Sequence, residues 1–158
     1  MADAIIDTNV LLVASAADPG SPFADTHLTP AEQLAVLDWV LSFHRSAEQV
    51  VLDNGMTIHD EYYNKMTGQD FGMIVITEKL QSARLHVIEY DADGHGVVPA
   101  AFAALDRSDR KFLAVALADL DAGDSSEIVN ATDTLDWNAI AAACEAHGIT
   151  IRHLLGGR

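Results

Sequence analysis

The stretch Ala4-Ile5-Ile6-Asp7-Thr8-Asn9 decides how the rest of the chain is read. A short apolar run ends abruptly at an aspartate, the mark of a buried strand that stops at a polar edge. The pattern returns at Val50-Val51-Leu52-Asp53 and at Ile128-Val129-Asn130, and Leu85 to Glu89 and Ile149 to His153 add two further strand candidates. Helical patterns fill the intervals. Thr29, Pro30 and Glu32 supply an N-cap, a first helical residue and a capping box. Leu34, Leu37, Val40, Leu41 and His44 then share one face, with His44 as a packing residue at its edge. One helix carries Glu61 and ends near Gly68, and another spans Phe71 to Gln81. A third opens at Asp109 with Ser108 as its cap, and a fourth runs from Trp137 to His147 and stops at Gly148. Residues 14–28, with Pro19, Gly20, Ser21 and Pro22, read as an irregular connection, and Gly94, Gly96 and Pro99 mark a loop. This alternation predicts an α/β fold: a mostly parallel sheet flanked by helices, in a single domain over residues 1–158.

Composition narrows the function. Hydrophobic residues make up 49% of the 158, enough for a folded core rather than a disordered chain. No apolar run approaches the roughly 20 residues that span a bilayer. Met1-Ala2-Asp3-Ala4 has no basic segment ahead of the apolar run, so that run reads as a strand and not as a signal peptide. Cys144 is the only cysteine, which rules out an intrachain disulfide and suits a reducing cytoplasm; its place on an apolar helix face suits a buried structural thiol. The formal net charge of −15 excludes a broad, passive nucleic-acid-binding surface. It leaves room for an acidic site where a metal ion bridges to phosphate. The remaining acids read as a solvated surface.

Four acids stand out: Asp7, Glu61, Asp109 and Asp133. Each follows a strand or lies near the start of a helix, and such positions collect in one cleft of an open α/β sheet. Carboxylates gathered there repel one another, and a divalent cation relieves the repulsion. Asp60 and Asp106 compete with Glu61 and Asp109 for their places. Basic residues are scarce, so Lys65, Arg107, Arg110 and Lys111, close in sequence to these acids, are the candidates for contacting RNA phosphates. Tyr62, Tyr63 and Trp137 suit either base stacking or core packing. The seven histidines show no metal-ligand spacing, and no Ser-His-Asp or Cys-His arrangement offers a side-chain nucleophile.

In this order the acids resemble the PIN-domain family of metal-dependent nucleases. The resemblance runs from Ile5-Ile6-Asp7-Thr8-Asn9-Val10-Leu11-Leu12 to Gly148-Ile149-Thr150-Ile151, nearly the whole chain. It rests on an Asp on the first strand, the pair Glu61-Tyr62, an Asp at a helix start, and Asp133-Thr134-Leu135-Asp136-Trp137 as the last acidic motif. The two Asp of that motif are three apart, wider than the family's usual spacing. The resemblance implies a PIN-like fold in which Asp7, Glu61, Asp109 and Asp133 bind metal and catalyse, with Asp136 as an auxiliary ligand. Asn9 would support Asp7, and Thr132 would place a hydroxyl near Asp133. It further implies Mg²⁺ or Mn²⁺ as cofactor, RNA as substrate, and a role such as a cytoplasmic toxin held by an antitoxin, a defence factor or an RNA-processing factor, with self-association into a homo-oligomer among the expectations. The competing reading is a PIN-like interaction module that keeps the acids and is catalytically silent. A haloacid-dehalogenase-like phosphotransferase needs a second Asp where Asp7-Thr8-Asn9 has Asn.

Overall fold

The computed structural model describes residues 1–18, 20–21, 27–90 and 97–156. The loop residues Gly94 and Gly96 and the prolines Pro19 and Pro22 lie outside them. Strand β1 (Ala4–Ile6) leads through one residue into α1 (Thr8–Ser15), followed by α2 (Pro30–Arg45), β2 (Val50–Asp53), α3 (Thr57–Lys65), α4 (Phe71–Gln81) and β3 (Leu85–Ile88). Then come α5 (Arg110–Asp121), β4 (Glu127–Asn130), α6 (Thr134–Asn138), α7 (Ala141–His147) and β5 (Thr150–His153). The strands form one sheet in the order β3-β2-β1-β4-β5, and every pairing is parallel. The α/β architecture expected from the alternation is therefore present. Every residue of β1, β2 and β4 is buried, as parallel strands covered on both faces must be. Among the described residues, no helix is long and apolar enough to cross a membrane.

Several local expectations change. Helix α1 has no amphipathic signature, because Val10, Leu11, Val13 and Ala14 leave it apolar nearly all round; it is buried between sheet, α2 and α4. On α2 the capping box of Thr29 and Glu32 is present, but the core face is Val36, Val40 and Phe43. Leu34 is exposed, and Leu37, Leu41 and His44 are only half-buried. Two apolar rows compete on this helix. The row carrying Phe43 wins, with Trp39 stacked on that ring at 5.2 Å, while His44 pairs with Glu78 of α4. The expected helix from Trp137 to His147 is two helices, α6 and α7, broken between Asn138 and Ala141. Gly148 ends α7 in the left-handed conformation, φ 77°, which a glycine adopts without strain. Cys144 is buried, and burial pushes its thiol up to about 11, as befits a packing residue.

Helix α4 meets α1 backbone to backbone at Gly72. A β-carbon there would come within 2.7 Å of the Leu11 carbonyl oxygen and 2.8 Å of the Leu11 β-carbon. The Gly72 N–H also donates to the Ser15 hydroxyl at 3.0 Å. Gly72→Ala is expected to destabilise the protein by about 1–3 kcal/mol, the usual range for overpacking. A lower urea midpoint at an unchanged m-value would show it, and an unchanged midpoint would mean that the two helices yield.

Candidate metal centre at the sheet's switch point

The chain builds outward from β1 in one direction through β2 and β3, then returns to its other side with β4 and β5. At such a reversal the connections leave the sheet in opposite directions and open a crevice beyond the C-terminal ends of the strands. Asp7 is the first residue beyond β1. Its N–H donates to the Val129 carbonyl at 3.0 Å, its carbonyl accepts from Val10 N–H at 3.0 Å, and the Tyr62 hydroxyl donates to the Ile6 carbonyl. Both peptide units around Asp7 are thus pinned. Its carboxylate caps α1, accepting from Asn9 N–H at 3.3 Å, and takes a second bond from Trp137 Nε1 at 3.1 Å.

Asn9 joins this corner to the end of β4. Its side-chain N–H₂ donates to Asn130 Oδ1 and to Asp133 Oδ2, each at 3.0 Å, and its Oδ1 accepts from the backbone N–H groups of Ala131 and Thr132 at 2.9 and 3.3 Å. Fully buried Asn130 completes the knot. It accepts from Asp133 N–H at 2.9 Å and bonds Thr134 and His153 at 3.2 and 3.0 Å. Asn9 thereby supports Asp133 as well as Asp7. Thr132 contributes its backbone N–H rather than the expected hydroxyl. Asn130 is the supporting residue that the sequence reading overlooks; a fully buried amide at the end of an apolar strand is its signal.

Asp109 arrives from the opposite side, on the turn that opens α5. The capping group of that turn is Asp106, which accepts from Ser108 N–H at 2.8 Å and from its hydroxyl at 2.6 Å. Ser108 is therefore capped and is not the cap, and Asp106 is excluded as the competing acid. Asp60 is exposed and is not one of the clustered acids. One carboxylate oxygen from each of Asp7, Asp109 and Asp133 lies within 4.8 Å of the other two. Burial, then the neighbouring Asp109 charge, then that of Asp133 push Asp7 from 3.8 up to about 7, against the lowering effect of the Trp137 bond. Burial and the Asp133 charge push Asp109 up to about 6, against the nearby Lys111 ammonium. Three oxygen donors, no thiolate and no imidazole make a set suited to Mg²⁺ or Mn²⁺.

Glu61 is not in this group. Its Oε1 accepts from the Thr8 hydroxyl at 2.5 Å, and its Oε2 pairs with Lys111 Nζ. Asp136 is exposed outside the group and reaches Asp109 only through its charge. Asp53, at the end of β2, serves the fold, accepting from Thr57 and Ile58 N–H at 2.9 and 3.0 Å at the start of α3. The expected basic rim is also thinner. Lys111 is buried and paired with Glu61, its ammonium also donating to the Ser108 carbonyl. Arg110 is turned onto the carbonyls of Leu105 and Ala103, at 3.2 and 3.1 Å. Lys65 and Arg107 remain exposed. Tyr62 and Trp137 are core residues, which leaves Tyr63, 65% exposed, as the one aromatic of the three able to stack on a base.

A second titratable group lies across the fold. His86 Nε2 bonds Asp119 Oδ1 at 3.1 Å and reaches Asp124 Oδ2 at 3.4 Å, and Ser126 donates to Asp119 Oδ2 at 2.6 Å. These bonds satisfy the buried Asp119 and tie β3 to the end of α5. No family model, curated protein or solved structure matches the chain.

The raised carboxyls give a signed pH dependence. In the metal-free protein Asp7 and Asp109 hold their protons to higher pH than they do in the unfolded chain. Their contribution to stability is full below about pH 4 and is lost as pH rises, toward about 6 for Asp109 and about 7 for Asp7. Asp109→Asn removes a like charge without breaking a hydrogen bond of that side chain. Thermal melts in chelator at pH 8 should show the variant about 2–4 °C more stable, roughly 1 kcal/mol after solvent screening of this partly exposed group. Parallel pH profiles for variant and wild type would show that the acids do not repel as described.

Proposed function

We propose that the protein is a Mg²⁺- or Mn²⁺-dependent ribonuclease of the PIN type, acting endonucleolytically in the cytoplasm. The observation that carries the reading is the convergence of Asp7, Asp109 and Asp133, from three distant segments, at the switch point of a parallel sheet. Acids that push one another upward have lower energy around a cation than alone. A divalent ion bound there would polarise the phosphodiester and make a bound water more acidic. Asp7, Asp109 and Asp133 would hold it, and Asn9 fixes Asp133 in orientation. The pinned backbone of Asp7 keeps its carboxylate from turning away. RNA as substrate, and a toxin, defence or RNA-processing role with an antitoxin or other partner, follow from the family resemblance. Lys65, Arg107 and Tyr63 are the exposed groups suited to a strand.

The internal use of Lys111 and Arg110 favours a second reading, the silent interaction module, because it leaves little positive charge to hold phosphate. The two readings part on cleavage. Manganese-dependent cleavage of a fluorescent single-stranded RNA should fall by about 100-fold or more in Asp7→Asn and Asp133→Asn, the loss of several kcal/mol of charge stabilisation. Wild-type protein whose melting temperature rises with Mn²⁺, yet which leaves RNA and DNA intact, would be the module.

Binding to RNA has its own expected pattern. Reversing Lys65 and Arg107 to Glu should weaken RNA binding measured by fluorescence anisotropy. Reversing Arg45, exposed at the end of α2 where the chain enters the other end of the sheet, should change it little. The reason is that phosphate attraction is screened over roughly 10 Å. Equal losses at all three positions would mean that RNA is not held at the crevice.

A further inference from the structure

Lys111 is a buried ammonium near the acidic cluster, only 4% exposed, its head 4.8 Å from the centre of the Phe112 ring and its charge felt by Asp109. It is held at two points, by the Ser108 carbonyl and by Glu61 Oε2. The other Glu61 oxygen is held by the Thr8 hydroxyl. Thr8 and Lys111 follow the acids Asp7 and Asp109 by one and two residues in the chain, so the segments that bring the triad together also hold Glu61 apart from it. Both of its oxygens are engaged with protein donors.

We infer that Lys111 is a positioning residue that, by holding Glu61, limits this crevice to a single divalent ion. The inference rests on the metal-dependent reading above. The charges agree with it. The three clustered aspartates, with the neutral Glu61–Lys111 pair beside them, leave a formal charge of −3. One dication reduces that to −1, whereas a second would turn the crevice positive and would sit beside an ammonium in a poorly solvated place, where repulsion is strong. Without Lys111 the three aspartates and Glu61 would carry −4, which two dications would neutralise, and Glu61 would be free to add a fourth carboxylate to the set. Lys111 thus fills the place in the charge balance that a second metal ion takes in two-metal sites.

The test is Mn²⁺ binding to the full chain without RNA, read as stoichiometry by titration calorimetry and by the loss of the free-ion electron paramagnetic resonance signal. Wild type is expected to bind one ion in the crevice, and Asp109→Asn to weaken it by about tenfold or more. Lys111→Met is expected to bind two. The double variant Lys111→Met/Glu61→Gln restores the formal −3 with neutral side chains of similar length, and is expected to return to one ion at near wild-type affinity. If Lys111→Met does not fold, Lys111→Gln removes the same charge while keeping a polar head for Ser108, and is likewise expected to bind two. Two ions in wild type that both depend on Asp109, one ion at unchanged affinity in Lys111→Met, or loss of the first ion in the double variant would each overturn the inference while leaving the metal-dependent reading intact. Binding that Asp109→Asn leaves unaltered, or no binding at all, would overturn that reading and the inference together.

Discussion

The architecture of the crevice depends on one amide side chain. Asn9 uses both ends of its amide to join the start of α1 to the turn after β4. Asp7 and Asp133 repel each other and would be farther apart in a looser structure. The bonds of Asn9 hold that turn against the first helix, and Asn130 repeats the restraint from the strand side. Each of these amides fulfils most of its hydrogen-bonding capacity, so neither can rotate without leaving buried groups unpaired. Burial, and then the mutual repulsion of acids held in place, are thereby expressed as raised carboxyl pKa values instead of as movement.

Much of this was legible in the sequence because it is encoded locally. The strands ending at Ile6 and Asn130 are short and largely apolar, and the residues that follow them include the acids of the crevice. Asp7, Asp109 and Asp133 could be singled out because each sits where an element begins or ends. The capping box at Thr29 and the left-handed Gly148 belong to the same local grammar. What escaped depends on distance. Helix α1 is apolar on nearly every side, so no periodicity separates it from its surroundings. Which apolar row of α2 turns inward is settled by α1 and α4, not by α2. The positions of Glu61, Lys111 and Arg110 depend on which neighbours are nearest in space, and a long flexible side chain beside an acid in sequence gives no sign of where its head will go.

The charge distribution follows from the same geometry. The chain carries nine Lys and Arg against 24 Asp and Glu, and two of the cations nearest the crevice are committed to the fold. Lys111 is bound to Glu61, and Arg110 holds the turn before α5 through two carbonyls. A polyanion approaching this region meets an electrostatic barrier unless a cation stands in it. On the proposed reading, affinity for phosphate would therefore depend on occupation by metal.

The central strand has a consequence for how the protein is made. Ala4 of β1 lies beside Val50 of β2 and beside Glu127 of β4. The first neighbour lies 46 residues along the chain and the second 123. Pairing across so long an interval of sequence is entropically slow and belongs to the later stages of folding. Asp133, which follows β4, reaches Asp7 only when that pairing is complete. A chain in which β4 has not paired with β1 would carry the separate acids without the constellation, and any chemistry that needs all three would require the completed sheet.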